Sequence, residues 1–278
     1  MINQQTYKQL TDMKLYGLAA AFGDYLQRPT HDALSFEERF GMMVEREHRE
    51  RQQRRLKKRL TQAKLREPAC IEDIDYQQPR GLDRSVLQRL QSCQWVTEHQ
   101  NILLTGATGL GKTWIACALV NRACREGFSA LYLRAPRILG ELLVARGSGN
   151  YTKLIEKLAK PDVLVLDDFG LSKLNDTERR DLLEVIEERQ GRKSTIIASQ
   201  LEIKHWHEVI AEPTIADAIL DRLINSAHRI EMHGKISMRG NKREKKVLNP
   251  DQKTESAALS PAQSRSETKP QEILTAKK

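Results

Sequence analysis

The sequence predicts an α/β protein: a parallel sheet flanked by helices, preceded by a small all-helical N-terminal domain. Three observations carry that reading. Short apolar runs at 101–105, 128–133, 162–167, 195–199 and 228–232 alternate with helical segments, the order that covers both faces of a parallel sheet. Before residue 68 the apolar residues recur at helical spacing instead. Beyond Asn249 the chain is Ser, Thr, Pro, Gln and Lys with almost no apolar periodicity. The divisions predict a helical domain at 1–68, a linker at 69–96, an α/β domain at 97–246 and a disordered tail at 247–278.

A chain of 278 residues, 39% hydrophobic, carries enough apolar mass for one large core or two unequal ones. No stretch approaches the ~18 uninterrupted apolar residues of a membrane helix, and the polar N-terminus with Lys8 lacks the layout of an export signal. A cytoplasmic protein with no membrane partner is expected. Cys70, Cys93, Cys117 and Cys124 form no C-x-x-C pair and are too sparse for a disulfide scaffold, so they read as buried, reduced thiols.

Taken in order, Leu10, Met13, Leu18, Ala21, Phe22, Tyr25 and Leu26 predict a helical run that Pro29 ends. Ser35 and Glu38 form a capping box for a second helix, basic on nearly every face through Arg66 and closed by Pro68. Residues 69–96 contain Pro79, Gly81 and a short amphipathic stretch around Val86, Leu87 and Leu90, a linker pattern. Within the α/β part, helices are predicted at 136–146 and 150–160, split by Gly147-Ser148-Gly149, at 176–190 behind an Asn175/Glu178 capping box, and at 214–226.

The net charge of +9 is unevenly placed. Arg46 to Arg66 holds ten basic residues against Glu47 and Glu50, and Lys235 to Lys246 holds six against Glu244. The remainder is slightly acidic. Two concentrated basic segments point to a polyanionic partner, for which nucleic acid is the commonest choice. A solvated helix face is the plain alternative, but the first segment has few carboxylates of its own to neutralise it.

Gly106-Ala107-Thr108-Gly109-Leu110-Gly111-Lys112-Thr113 matches the eight-position phosphate-loop pattern in full, between an apolar strand and an amphipathic helix. Backbone amides of such a loop curve around phosphates, Lys112 reaches the outer phosphates of ATP and the Thr113 hydroxyl is a ligand for Mg2+. In Val163-Leu164-Val165-Leu166-Asp167-Asp168, a buried strand ends in two carboxylates at the sheet edge where ligands bind. Asp167 is expected in the magnesium shell, and Asp168 is placed to orient and deprotonate water. A third strand ends in Ser199 and Gln200, either of which lies where it can meet the terminal phosphate. Arg222, in the helical segment 214–226, reads as an ion pair or a functional cation with equal force.

With these motifs in this order the chain resembles the AAA+ ATPases, specifically the IstB-like transposition helpers and the related DnaC-type helicase loaders. Leu15-Tyr-Gly-Leu-Ala-Ala-Ala-Phe and Ser237-Met-Arg239 also look IstB-like, and the likeness spans about residues 7 to 245. The resemblance implies ATP binding at 106–113, magnesium and water activation at Asp167 and Asp168, and a phosphate-sensing residue at Ser199 or Gln200. It makes Arg222 an arginine finger acting in a neighbouring subunit, offers Arg239 as a candidate second sensor without assigning it that role, and implies a truncated lid. The extra helix at 150–160 resembles an insertion of replication initiators that faces DNA, which would bring Arg134, Arg137, Arg146 and Lys153 toward it.

The function expected is an ATP-dependent DNA-binding regulator that forms a homo-oligomer on duplex DNA and assists a cognate transposase, hydrolysis controlling the assembly. Arg54, Arg55, Lys57, Lys58 and Arg59 are the expected DNA contacts. A helicase loader is the alternative. Transporter ATPases are disfavoured, since no Leu-Ser-Gly-Gly-Gln stretch occurs. A small-molecule kinase has no use for two basic segments, whereas a nucleotide-gated binder without turnover shares the same loop.

Overall fold

The computed structural model describes residues 2–27, 34–234 and 237–238. Pro29, Arg239, nearly all of the 235–246 segment, any lid and the tail at 247–278 lie outside them. No helix among the described residues is long and apolar enough to cross a membrane.

The expected first helical run is two helices, α1 (Ile2–Asp12) and α2 (Tyr16–Gln27), with Lys14 at φ 59 between them. A buried carboxylate stabilises the break. Glu47, from the long helix α3 (Phe36–Ala63), accepts the Gly17 amide at 2.7 Å and the Leu18 amide at 3.1 Å, anchoring the exposed amides of the α2 N-terminus. Burial pushes the Glu47 carboxyl up, but the hydrogen bonds from Arg51, Leu18 and Gly17 outweigh it and hold the group below the usual range. The Ser35/Glu38 capping box forms as expected. The helix ends at Ala63 rather than Arg66, because Lys64 takes a left-handed conformation.

The basic helix was expected in a domain apart from the sheet. Its C-terminal half is instead built into the α/β core: Ala63 is fully buried, with Leu56, Leu60 and Leu65 packed beside it. The expected linker is packed as well. Ala69, Ile71 and Ile74 are buried, as are Leu87 and Leu90 of α4 (Arg84–Gln91) and Trp95 and Val96 of α5 (Gln94–Thr97). Periodicity concealed this, because an irregular segment that threads across a helical layer buries isolated residues with no repeat to read.

From there the strands and helices alternate: β1 (Asn101–Gly106), α6 (Lys112–Arg125), β2 (Ala130–Arg134), α7 (Ala135–Gly147), α8 (Tyr151–Ala159) and β3 (Val163–Phe169). There follow α9 (Asp176–Arg189), β4 (Ser194–Ser199), α10 (Trp206–Ile210), α11 (Pro213–Ile224) and β5 (Ala227–Met232). All pairings are parallel in the order β2-β3-β4-β1-β5, so β1 lies between strands that follow it in the chain and its C-terminal end opens on a crevice. One face packs under α6, α4 and the end of α3, the other under α7 to α11. Arg189, buried in α9, donates to the carbonyls of Leu158, Ala159, Pro161, Asp162 and Ser194 and to Thr195 Oγ1, pinning the α8–β3 and α9–β4 turns together. The four cysteines are free thiols; Cys93, Cys117 and Cys124 are buried and Cys70 is half-buried.

Candidate nucleotide site

The glycine loop 106–111 joins β1 to α6 at the C-terminal edge of the sheet. Gly106 needs its missing side chain, since its φ is 135 and a Cβ there would collide with the Met232 carbonyl. At Gly111, φ 97, a Cβ would sit 2.9 Å from Arg80 Nη1. Arg80, buried in the segment before α4, donates to the Leu110 carbonyl at 3.1 Å and braces the loop from behind. Lys112 lies in the curve of the loop, its Nζ 2.6 Å from the Gly106 carbonyl and 2.9 Å from that of Ala107. Thr108 stands at the exposed side of the loop, and Ser237 Oγ would lie 2.5 Å from a Cβ on Gly109.

Thr113 Oγ1 donates to Asp167 Oδ2 at 2.7 Å, and the buried Tyr132 hydroxyl reaches the same oxygen at 2.5 Å. Burial, then the hydrogen bond to Asp167, keeps the phenol protonated well above its ordinary range. A hydroxyl beside a carboxylate is a hard oxygen pair. That arrangement fits magnesium, which takes one or two protein oxygens and completes its shell with water and phosphate.

Asp168 owes its direction to an irregular strand. Pairing of β3 with β4 runs to Leu166↔Ile197 and resumes at Phe169↔Ser199, and Asp168 takes φ 58 inside this bulge. Its Oδ2 lies 2.7 Å from Arg134 Nε and 3.8 Å from Arg66 Nη1. The nearby Tyr132 hydroxyl, with the charges of Asp168 and Asp167, raises the Arg66 pKa against the effect of burial.

Ser199 and Gln200 separate. Ser199 is fully buried, donating to the Phe169 carbonyl at 2.8 Å and accepting from the Leu201 amide at 3.1 Å. Gln200 Oε1 accepts from Thr108 Oγ1 of the loop at 2.7 Å. Arg222 is remote from both. Asn101, at the opposite end of β1 from the loop, donates to the Arg222 carbonyl at 3.2 Å, a strand length of about 16 Å away. The Arg222 guanidinium pairs with Glu187 at 2.8 Å.

The expected DNA contacts divide too. Arg59 is spent on the Cys124 carbonyl at 2.8 Å, and Arg54 lies 3.5 Å from Glu47 and over the Tyr16 ring. Arg46 pairs with Glu50 and with Asp24 of α2, and Arg49 with Glu45, so Asp24 adds a neutralising charge from outside the helix. Arg55, Lys57 and Lys58 are exposed and meet no carboxylate among the described residues. Of the cations expected near the insertion, Arg134 faces Asp168, Arg137 pairs with Glu141, and Arg146 grips buried Asp181 while stacking on Tyr151. Lys153 is exposed. Sequence reasoning missed Tyr132, Arg66 and Arg80. Only the place of Arg134 carried a signal: it ends the strand beside β3, in register with Asp167.

Residues 8–246 match the family described as IstB-like ATP binding protein. An insertion sequence ATP-binding protein of Sinorhizobium fredii is 46% identical over 88% of this chain and 100% of its own length. The ATP-binding protein of insertion sequence IS1162 from Pseudomonas fluorescens is 47% identical over 72% of this chain and 87% of its own. Among solved structures, DnaI is similar with a TM-score of 0.52 at 20% identity, covering 60% of this chain and 92% of DnaI. AMPPCP-bound DnaA from Aquifex aeolicus gives a TM-score of 0.52 at 16% identity, over 69% of this chain and 59% of that one. Likeness at these identities speaks for a shared P-loop AAA+ fold.

Proposed function

The chain belongs to the family of IstB-like ATP-binding proteins, and from that premise we propose that it is an ATP-hydrolysing regulator of DNA transposition, assembling as a homo-oligomer on duplex DNA and assisting a transposase. The observation that carries this reading is the placement of α3. Its face of Leu56, Leu60 and Ala63 is packed into the unit that bears the glycine loop, while Arg55, Lys57 and Lys58 stand exposed. Phosphate contacts made there are rigidly joined to the nucleotide site. The relatives named for insertion sequences favour DNA as the polyanion and transposition as the task.

In this account the amides of 107–111 and Lys112 bind the phosphates of ATP. Thr113 and Asp167 would hold a magnesium ion, which would supply charge neutralisation for the phosphates. Tyr132 orients the Asp167 carboxylate. Asp168 takes the proton of the attacking water as the water oxygen bonds to the terminal phosphorus and the bond to ADP breaks. Gln200, tied to the loop through Thr108, senses the terminal phosphate. Arg222 is too far from its own loop to act there, so it serves the site of a neighbouring subunit.

Phosphate release from ATP, measured for the chain alone, with a random-sequence duplex and with a single strand, tests the proposal. Hydrolysis raised by the duplex is expected. No release under any condition overturns it, and stimulation by single strands alone transfers the assignment to a helicase loader.

A further inference from the structure

Arg80 is a buried cation without a carboxylate. Among the described residues four arginines have a buried Nε that meets no acceptor, and three of them, Arg125, Arg179 and Arg222, are paired with Glu72, Asp176 and Glu187. Arg80 has no such partner there, although it is only 5% exposed. Its Nη1 donates to the Leu110 carbonyl at 3.1 Å and its Nη2 to the Asp75 carbonyl at 2.8 Å, both neutral acceptors. Burial lowers its pKa, and the charge of Asp75 offsets only part of that effect. Arg189 is the contrast: it is buried too, but its Nε, Nη1 and Nη2 all donate. A cation taken out of water and left incompletely partnered is costly, so an anion from outside the chain is the natural complement of Arg80. Its position is fixed from several sides. The Arg80 carbonyl accepts the His233 amide at 3.1 Å, and Gly81, φ 72, lies where a Cβ would be 2.8 Å from the Glu231 carbonyl. The missing side chain of Gly111 makes room for the guanidinium itself.

We propose that Arg80 sets the affinity for the nucleotide polyphosphate: from behind the loop it aims the Gly111 amide at the phosphates and supplies a buried positive charge that they neutralise. The inference rests on the nucleotide reading above and deepens it. The C=O and N–H of one peptide lie in a plane and point opposite ways. Holding the Leu110 carbonyl toward Arg80 therefore turns the Gly111 N–H toward the other side of the loop, where a phosphate is cradled. That amide donates to no acceptor among the described residues. Donation to the carbonyl also polarises the peptide, which makes its N–H a stronger donor. Across this peptide the guanidinium and a phosphate oxygen are about 8 Å apart, too far for a hydrogen bond but close enough for attraction through a water-free layer. Arg80 is a positioning residue: it acts on the nucleotide through the Leu110–Gly111 peptide and its own charge.

The test measures the affinity of a fluorescent ADP analogue, with magnesium, for wild type, Arg80→Lys, Arg80→Gln and Arg80→Met, with a thermal melt of each variant as the check of folding. Arg80→Met removes charge and donors and should weaken binding about tenfold or more, the size of the attraction of one full charge at that distance. Arg80→Lys keeps the charge and a donor and should recover most of the loss. Arg80→Gln keeps a donor without the charge and should not. A brace that works by packing or hydrogen bonding alone would leave Arg80→Gln level with Arg80→Lys, and this result overturns the proposal. So does wild-type affinity in Arg80→Met. Should Arg80→Met fail to fold, the comparison of Lys with Gln decides in the same way. If wild type binds neither ADP nor ATP, the nucleotide reading falls and this inference with it; if wild type binds and the charge series is flat, Arg80 alone loses its role.

Discussion

Thr108 Oγ1 donates to Gln200 Oε1 across 2.7 Å, tying the glycine loop to the residue that follows β4. Ser199, one position earlier, is turned the other way and holds the β3 and β4 ends together. The two residues that the sequence left as equals therefore have different tasks. If Gln200 meets the terminal phosphate, Gln200→Ala should retain ATP binding and slow hydrolysis about tenfold or more. Ser199→Ala should lower the unfolding temperature instead. Single-turnover rates and thermal melts on both variants decide this, and a normal rate for Gln200→Ala would sink the assignment.

Lys112→Ala and Asp168→Asn should fail at different steps. The first removes the cation inside the loop, and nucleotide binding should be lost. The second keeps the size of the side chain and leaves the Thr113–Asp167 pair intact, so ATP should bind while turnover falls to background. Titration with a fluorescent ATP analogue checks the first, and phosphate release checks the second. Wild-type turnover by Asp168→Asn would show that another group takes the proton.

Arg222 sits at the far edge of the sheet from the loop and is paired with Glu187. If it works in a neighbouring subunit, Arg222→Ala and Lys112→Ala chains are each inactive alone, yet a mixture recovers hydrolysis wherever an intact loop meets an intact finger. An arginine finger is worth about 10³-fold or more in rate where it has been isolated, so the recovery should be large against background. Mixtures that co-assemble without recovery would leave Arg222 as the partner of Glu187 and nothing more.

Burial pushes the Cys93 and Cys124 thiols up from the ordinary 9.0 to about 11. A thiol that ionises later in the folded chain than in the unfolded one contributes stability that is fully present below the unfolded value. That contribution drains away as the pH rises from about 9 through about 11, because the unfolded chain loses its protons first. The denaturant midpoint should therefore drop more steeply over this window in wild type than in Cys93→Ala/Cys124→Ala. Equal slopes would contradict the assignment.

What the sequence made legible is local. The phosphate loop, the capping boxes at Ser35 and Asn175, and the split at Gly147 each lie within a few neighbouring residues, and their physics acts over that range. Contacts between distant segments were not legible. Nothing around Arg66 announces Asp168, nothing around Glu47 announces the α2 amides, and nothing around Arg80 announces Leu110. The basic helix is the sharpest case. Its charge count pointed to phosphate, but Arg59 turned inward to a carbonyl while Arg55, Lys57 and Lys58 stayed exposed.

The central claim is nucleotide-dependent binding of duplex DNA, and the affinity for a random duplex across a salt series, with ATP and without nucleotide, tests it most directly. With ATP, binding should be tight at low salt and weaken with a log-log slope of roughly −0.9 per phosphate contacted. Substituting Arg55, Lys57 and Lys58 together by Gln should flatten that slope equally on unrelated sequences and leave ATP binding unchanged. Without nucleotide, or with Lys112→Ala, the affinity should drop. Equal affinity in the presence and absence of ATP, or no binding to duplex at any salt, would contradict the account.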